Sequence, residues 1–368
     1  MSIQDLVKGN PPRDLQEQIL SGLLSLSRPL YRAGAAVHRK MYEKGIKKVR
    51  SLPCRVVCIG NLTLGGSGKT PVTILAAKRL SEEGKRVVII SRGYKRKRGE
   101  KNMVVVQDTQ KILASPLEAG DEPYLIAESL PGIPVIVCAN RFIAGEYACR
   151  NFNPDILILD DGFQHWGLKR DCDIVCIDSG KPLDKLKLLP RGLLREPIEG
   201  LKRAQAVIFT RTEKAERLND QINIVKKIAG NIPVLRLRFQ LGELLPVSKE
   251  ESTNFTEEDY FRKPVMAFCG IANPESFFRL IKQKFKKLEK TIVFPDHVSY
   301  TKEHFRSIKS EFVYYNCHIA ITTEKDAVKI RHMKLHRMPI YFFNLNTVWE
   351  KEQDSNSFTS VLKEAKKP

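Results

Sequence analysis

The chain has 368 residues, 42% hydrophobic and 28% charged, a balance that excludes wholesale disorder and allows two domains with proper cores. Its net charge of +20 points to a polyanionic partner: nucleic acid, an anionic membrane surface or a phosphorylated substrate. The eight cysteines form no C-x-x-C pair, so zinc is unsupported, and several sit in apolar runs as buried free thiols of a reducing compartment would.

No n-region, h-region and cleavage site is found near the start, so secretion is not expected. Leu15, Ile19, Leu20, Leu23, Leu24, Leu26 and Leu30 recur at helical spacing, and residues 18–27 carry no charge. The run is shorter than the roughly 20 apolar residues a spanning helix needs. Arg28, Arg32, Arg39, Lys40, Lys44, Lys47, Lys48 and Arg50 follow, with Glu43 as the one acid among them. Such a pattern suits a helix lying in the headgroup region of an anionic leaflet. A core-packing helix with a solvated basic end fits it equally well.

From residue 51 onward apolar, β-rich runs alternate with helical segments. The runs lie at 55–60, 86–90, 103–106, 134–138, 156–160, 173–177 and 206–210. One helical segment is "PVTILAAKRLSEEGK", which Gly84 stops. Continuous apolar strands joined by helical crossovers predict a parallel sheet covered on both faces. After "IPVLRLRF" the stretch "LGELLPVSKEESTNFTEEDYFRK" is polar and acid-rich, and reads as a linker over 241–263. A second α/β unit of about a hundred residues follows. Its strands are "PVMAFCG", "TIVF", "HIAITT" and "PIYFFNL", with helices from Pro274 to about Leu288 and near 301–312. The expected division is a membrane-interface segment over 1–50, a core over 51–240, the linker, and a smaller α/β domain over 264–368.

"TLGGSGKT" at 63–70 lies between the strand "RVVCIG" and an amphipathic helix, the context of a P-loop. Thr63 stands where the usual spacing has glycine, and Leu64, Gly65, Gly66, Ser67 and Gly68 complete the loop. The glycines turn backbone N–H groups toward phosphate oxygens, and the helix N-terminus adds partial positive charge. Lys69 would reach the β- and γ-phosphates, and the Thr70 hydroxyl would ligate Mg²⁺. "DILILDDG" at 155–162 ends an apolar strand in Asp160 and Asp161, as a Walker B strand does; a plain Asp-Gly turn is the alternative. Asp121 and Glu122 in "AGDEPYLIAESL" precede Pro123 and a helical run, so Asp121 alone reads as a helix cap. In "FPDHVSY", Asp296 and His297 end a strand of the second unit, where a lone histidine is usually structural. Taken together, an Asp in one unit and a His in the other could form a general-base pair across a cleft.

"LTLGGSGKTP", "SRGY", "GDEP", "LDDGFQH", "LPRGLLREP", "FPDH" and "TTEKDAVK" occur in the order found in tetraacyldisaccharide 4′-kinases, and the chain resembles that family from about residue 50 to 330. These are the lipid A 4′-kinases of Gram-negative-type bacteria. The resemblance implies a two-domain α/β kinase with a P-loop. It implies transfer of the γ-phosphate of ATP, with Mg²⁺, to the 4′-hydroxyl of a tetraacyldisaccharide 1-phosphate, forming lipid IVA in lipid A biosynthesis. It also implies a peripheral or monotopic location at the cytoplasmic face of the inner membrane. Carried over, it makes Asp121 and His297 the base pair, and places Glu122, Asp160 and Asp161 near Mg²⁺ with Gln164 close by. Arg191 and Arg195 would contact anionic substrate or transition-state charge. Thr63 is common in the family, whereas Trp166 and Val298 depart from its pattern.

Two other classes compete. A P-loop ATPase or GTPase would hydrolyse nucleotide without a lipid acceptor, with "TTEKD" as a base-recognition motif. A nucleic-acid-binding protein would use the basic surface, but no such motif is visible. The expected partners are an anionic acylated disaccharide lipid and the membrane surface, with no nucleic acid and no obligate protein partner.

Overall fold

The computed structural model describes residues 15–93, 96, 102–214, 216–248, 261–271, 273–331, 333 and 338–364. Tyr94 of "SRGY", residues 249–260 of the expected linker and the side chains of Leu15, Ile19, Leu23, Leu24 and Arg28 lie outside the described residues. Helix α1 (Leu15–Glu43) precedes β1 (Arg55–Asn61), α2 (Lys69–Glu82), β2 (Val87–Ser91) and β3 (Val104–Gln107). Next come α3 (Pro116–Ala119), α4 (Asp121–Ser129), β4 (Val135–Val137), α5 (Arg141–Phe152), β5 (Ile156–Asp160), β6 (Cys172–Asp178) and β7 (Ala206–Thr210). The chain continues through α6 (Leu218–Ala229), β8 (Val234–Pro246), β9 (Val265–Cys269), α7 (Pro274–Lys284), β10 (Leu288–Val293) and α8 (Lys302–Tyr314). The last elements are β11 (Ile319–Thr323), α9 (Glu324–Ile330), β12 (Ile340–Trp349) and α10 (Glu352–Glu364).

The twelve strands among the described residues share one sheet, ordered β10-β9-β11-β12-β8-β7-β6-β1-β5-β2-β4-β3. Its pairs are parallel except β3–β4 and β8–β12. Strand residues alternate between two buried faces, as the pleat requires. Val57 and Ile59 pack with Val72, Ala76 and Leu80 of α2 and with Ile126 of α4. Val56 and Cys58 pack with Ala144 and Ala148 of α5 and with Val225 of α6. The second unit repeats the arrangement, with Ile308 of α8 on one side and Phe277 and Ile281 of α7 on the other. Continuous burial on both faces is what made these strands legible as unbroken apolar runs.

Two features differ from the expected division. The stretch expected to be a linker begins inside β8, where Leu241 pairs with Leu345 and Pro246 with Tyr341 of β12. An antiparallel ribbon satisfies the backbone groups of a chain leaving one unit with the strand that returns to it. The chain then crosses back: Phe358, Val361 and Leu362 of α10 bury into the core around β1 and α2 rather than into the second unit. Lys363 Nζ seals that seam 2.9 Å from Glu83 of the loop after α2.

Helix α1 runs unbroken for 29 residues through Pro29. Leu26 and Leu30 are 74% and 75% exposed, so this part of its apolar stripe is not packed on the core. No helix among the described residues is long and apolar enough to cross a membrane. The six buried cysteines are free, and burial pushes the Cys176 thiol up to about 12, well out of the reactive range.

Phe358 is 1% exposed, and its ring centre lies 5.1 Å from that of Trp349 with the planes tilted by 50°. Phe358→Ala should destabilise the protein by about 3–5 kcal/mol. Urea unfolding, followed by fluorescence, measures the loss directly.

Candidate active site

Parallel register sets the site. Ile59 of β1 pairs with Asp160 of β5, so the loop after β1 and the acids after β5 leave the sheet side by side. Loops at the carboxyl ends of parallel strands line such crevices by construction. Here they floor a cleft of ≈ 2440 Å³, lined also by α1, the start of α4 and the loops of the second unit.

Asn61 ends β1 fully buried, and its Nδ2 donates to Thr63 O at 2.7 Å and to Ser67 Oγ at 2.8 Å, cross-bracing the loop. Thr63 forms an antiparallel bridge with Leu194, an extended setting that suits a β-branched residue and explains why glycine is not needed there. Gly65 and Gly68 take positive φ, 92° and 77°. A side chain at Gly68 would also meet Phe239 Cζ at 2.7 Å. Gly68 caps α2 with no side-chain hydrogen bond, which leaves the helix's first N–H groups available to an anion. Arg211 supports the loop from outside, donating to Gly66 O at 2.6 Å and to Asp178 at 3.0 Å.

The two acids after β5 have opposite electrostatics. Asp160 is buried and accepts from Thr73 Oγ1 at 3.2 Å and Ser91 Oγ at 3.1 Å. Burial, then the nearby Glu122 and Asp161 carboxylates, push it up to about 7. Burial pushes Asp161 up as well, but Lys69 and Arg195 outweigh it and hold that carboxyl below the usual range. Lys69 Nζ lies 3.7 Å from Asp161 Oδ1, and Arg195 donates to both its oxygens at 2.8 and 3.0 Å. Gln164 is knitted into the same group, donating to Asn61 O at 2.8 Å and Glu196 Oε1 at 2.9 Å. Tyr31 of α1 donates to Arg195 O at 2.8 Å, which ties the N-terminal helix to this wall of the cleft. Arg195 and Trp166 line the cleft; Arg191 is not among its lining residues.

Asp160, Asp161, Glu122 and Thr70, the residues expected around Mg²⁺, all line this one cleft. Three carboxylates crowd one space, and their mutual repulsion is what a divalent cation relieves. Among the described residues no three acids, histidines or cysteines form a closed cage, and Mg²⁺ uses one or two carboxylates together with phosphate oxygens.

Opposite the loop, His297 Nδ1 stands 3.3 Å from Asp121 Oδ2, joining residues 176 positions apart. His297 has a φ of 62° and donates its N–H to Gly270 O at 3.3 Å. Burial alone would raise Asp121, but the His297 hydrogen bond and the charges of Lys329 and Lys325 lower it. Gly120, not Asp121, is the N-cap of α4; Asp121 stands in its first turn with no side-chain capping bond, so the helix-cap reading gives way to the cleft reading. Sequence patterns had not assigned chemistry to Asn61, Arg211, Lys325 or Lys329. The last two stood inside "TTEKDAVK", where only their spacing of four on a helix hinted at a shared face.

Residues 20–365 match the family described as "LpxK: Tetraacyldisaccharide-1-P 4'-kinase". The chain belongs to that family. It is 37% identical to the tetraacyldisaccharide 4'-kinase of Halothermothrix orenii, over 93% of this chain and 91% of the relative. It is 39% identical to that of Geobacter metallireducens, over 86% of this chain and 90% of the relative. Among solved structures it resembles LpxK from Aquifex aeolicus in complex with ATP, with a TM-score of 0.70 and 29% identity over 91% of this chain and 97% of that one.

Asp160 supplies a pH test. Its folded pKa lies above the ordinary 3.8, so its contribution to stability is full at low pH and lost as pH rises towards about 7. Asp160→Asn removes the buried charge and keeps the shape. In EDTA it should stabilise the protein by about 2 kcal/mol above pH 7, with the gap closing towards pH 4. Thermal melts of both proteins across that range decide it.

Proposed function

We propose that the chain transfers the γ-phosphoryl group of ATP to the 4′-hydroxyl of a tetraacyldisaccharide 1-phosphate, with each role carried by the residues of this cleft. The observation that supports the reading most directly is the 3.3 Å meeting of Asp121 and His297 above a phosphate loop. Such a pair supplies a base for the hydroxyl of an acceptor. Phosphoryl transfer is mostly positioning and electrostatics, and the parts divide accordingly. The amides of 64–68 and the α2 N-terminus cradle the phosphates, and Lys69 carries positive charge to the transferring group. Thr70, Asp160, Asp161 and Glu122 would hold Mg²⁺, which when bound neutralises charge between the β- and γ-phosphates. Asp121 accepts from Nδ1–H of His297 and orients the ring, and Nε2 takes the proton of the attacking hydroxyl. Arg195 holds Asp161, and Gln164, accepting from Arg195 at 3.3 Å, braces it at the wall where the sugar would approach.

The same reading takes 51–240 as the nucleotide unit and 264–368 as the carrier of the histidine, joined through 241–263. Segment 1–50 lies on the cytoplasmic face of the inner membrane, with exposed Leu26 and Leu30 toward the acyl region and the basic residues at the headgroups. An anionic lipid acceptor accounts for the +20 charge and the apolar-then-basic N-terminal segment together.

ATP-dependent transfer to purified tetraacyldisaccharide 1-phosphate in detergent tests the function. Lys69→Ala should cut turnover by about 10²-fold or more in a folded protein; near-normal turnover would remove the loop from catalysis. Asp121→Ala and His297→Ala should each lower kcat by roughly 10²–10⁴-fold with little change in KM for ATP. If the two act as one unit, the double variant will be scarcely worse than the weaker single. Independent multiplication of the two losses would separate them.

A further inference from the structure

Helix α9 carries two lysines one turn apart, and both ammonium groups reach the start of α4 in the other unit. Lys329 Nζ lies 3.3 Å from Asp121 Oδ2 and 3.0 Å from Asp326 Oδ1, with its side chain only 7% exposed. Lys325 Nζ lies 3.3 Å from Glu122 Oε1 and 3.4 Å from His297 Nε2, with its side chain 19% exposed on the cleft. Just past α9, Arg331 extends the row to Glu128 of α4 at 2.6 Å. Cations on one helix thus face acids on the other across the seam between the units.

Donor chemistry then fixes the imidazole. A carboxylate only accepts hydrogen bonds and an ammonium only donates them. The Asp121 contact therefore requires the proton on Nδ1, and the Lys325 contact requires the lone pair on Nε2. Both favour the Nδ1–H tautomer, the one a base at Nε2 needs, against the pull of Asp296 Oδ2, 3.9 Å from Nε2. Lys329 closes the frame behind the ring. Its partner Asp326, fully buried, accepts from Gly270 N at 2.9 Å, and Gly270 O accepts the His297 N–H. Asp121, Lys329, Asp326, Gly270 and His297 form one closed circuit across the two units.

We propose that Lys325 and Lys329 are positioning residues of the transfer reaction, clamping Asp121, Glu122 and His297 together and presenting the Nε2 lone pair of His297 to the cleft. The proposal rests on the reading of Asp121 and His297 as the base pair. In the ligand-free protein Lys325 covers Nε2. The arriving sugar hydroxyl takes that place, and the ammonium stays with Glu122 and with Asp296, whose Oδ1 is 3.9 Å away. Neither lysine touches the phosphate loop, so removing either loosens the hold on Asp121, Glu122 and His297.

The test uses full-length protein carrying Lys325→Met, Lys325→Arg or Lys329→Met, assayed with ATP and tetraacyldisaccharide 1-phosphate in detergent. Both methionine variants should lose about 100-fold in kcat, with KM for ATP changed by less than about twofold. Lys325→Arg should recover part of that loss. Nitrogen-15 spectra of histidine-labelled, ligand-free protein, with His297→Gln to assign the signal, should report Nδ1–H in the wild type. In Lys325→Met the Nε2–H tautomer should gain population. An unchanged tautomer in Lys325→Met, an arginine variant no better than methionine, or a kcat loss matched by a rise in KM for ATP would each overturn the proposal. Should the buried Lys329→Met fail to fold, the two Lys325 variants decide alone. A wild-type protein that leaves the lipid unphosphorylated refutes the functional reading, and the tautomer spectrum still judges the clamp.

Discussion

The parallel pairing of β1 with β5, in the register that sets Ile59 beside Asp160, is the constraint on which the cleft depends. Because both strands run the same way, the phosphate loop and the acids emerge together at one edge of the sheet. A buried strand on each side, β6 and β2, then forbids slippage, since a one-residue shift would turn every apolar side chain to the wrong face. Asn61 converts that register into loop shape by bonding Thr63 and Ser67 from inside the core. The loop's geometry is therefore inherited from the sheet rather than imposed by its glycines alone.

Around that edge the protein holds acids and bases in unequal company. Asp161 faces Lys69 and Arg195 and stays ionised, whereas its neighbour Asp160, with two hydroxyl donors and, among the described residues, no cation in hydrogen-bond contact, is driven toward neutrality. Adjacent residues at a strand end point in different directions, which is why they can meet such different surroundings. Asp161, Arg211 and His297 all take left-handed backbone, a conformation that costs non-glycine residues energy and collects at functional sites. Each is held there by fixed partners on the cleft wall, so local strain is offset by the packed scaffold around it.

The β8–β12 ribbon and helix α10 bind the two units into one sheet and one continuous seam. The chain leaves the first unit on β8, builds the second, returns on β12, and inserts Phe358 into the first core. That route places α9 against α4, bringing Lys325, Lys329 and Arg331 to Glu122, Asp121 and Glu128. His297 meets Asp121 only because the ribbon holds the second unit over the loop.

Sequence alone determined the local chemistry. The unbroken apolar runs announced buried parallel strands, since both faces of each are covered. "GGSGKT" announced an anion cradle, because glycines between a strand and a helix have few other uses. The ordered motifs of 62–329 carried the family. Tertiary structure decided what local pattern cannot encode, namely which distant residues touch. Asp121 read as a helix cap and His297 as an ordinary strand-end histidine until the fold set them 3.3 Å apart. Leu241–Pro246 looked like linker because one face of an antiparallel ribbon tolerates polar residues, and its pairing partner lies about a hundred residues on. Arg191 and Arg195 were indistinguishable in "LPRGLLREP", and only the turn of that loop sent Arg195 to Asp161. Lys325 and Lys329 fall in the same class. A charged helix face is usually solvated, and theirs gained a role only when the returning chain laid it against the acids of α4.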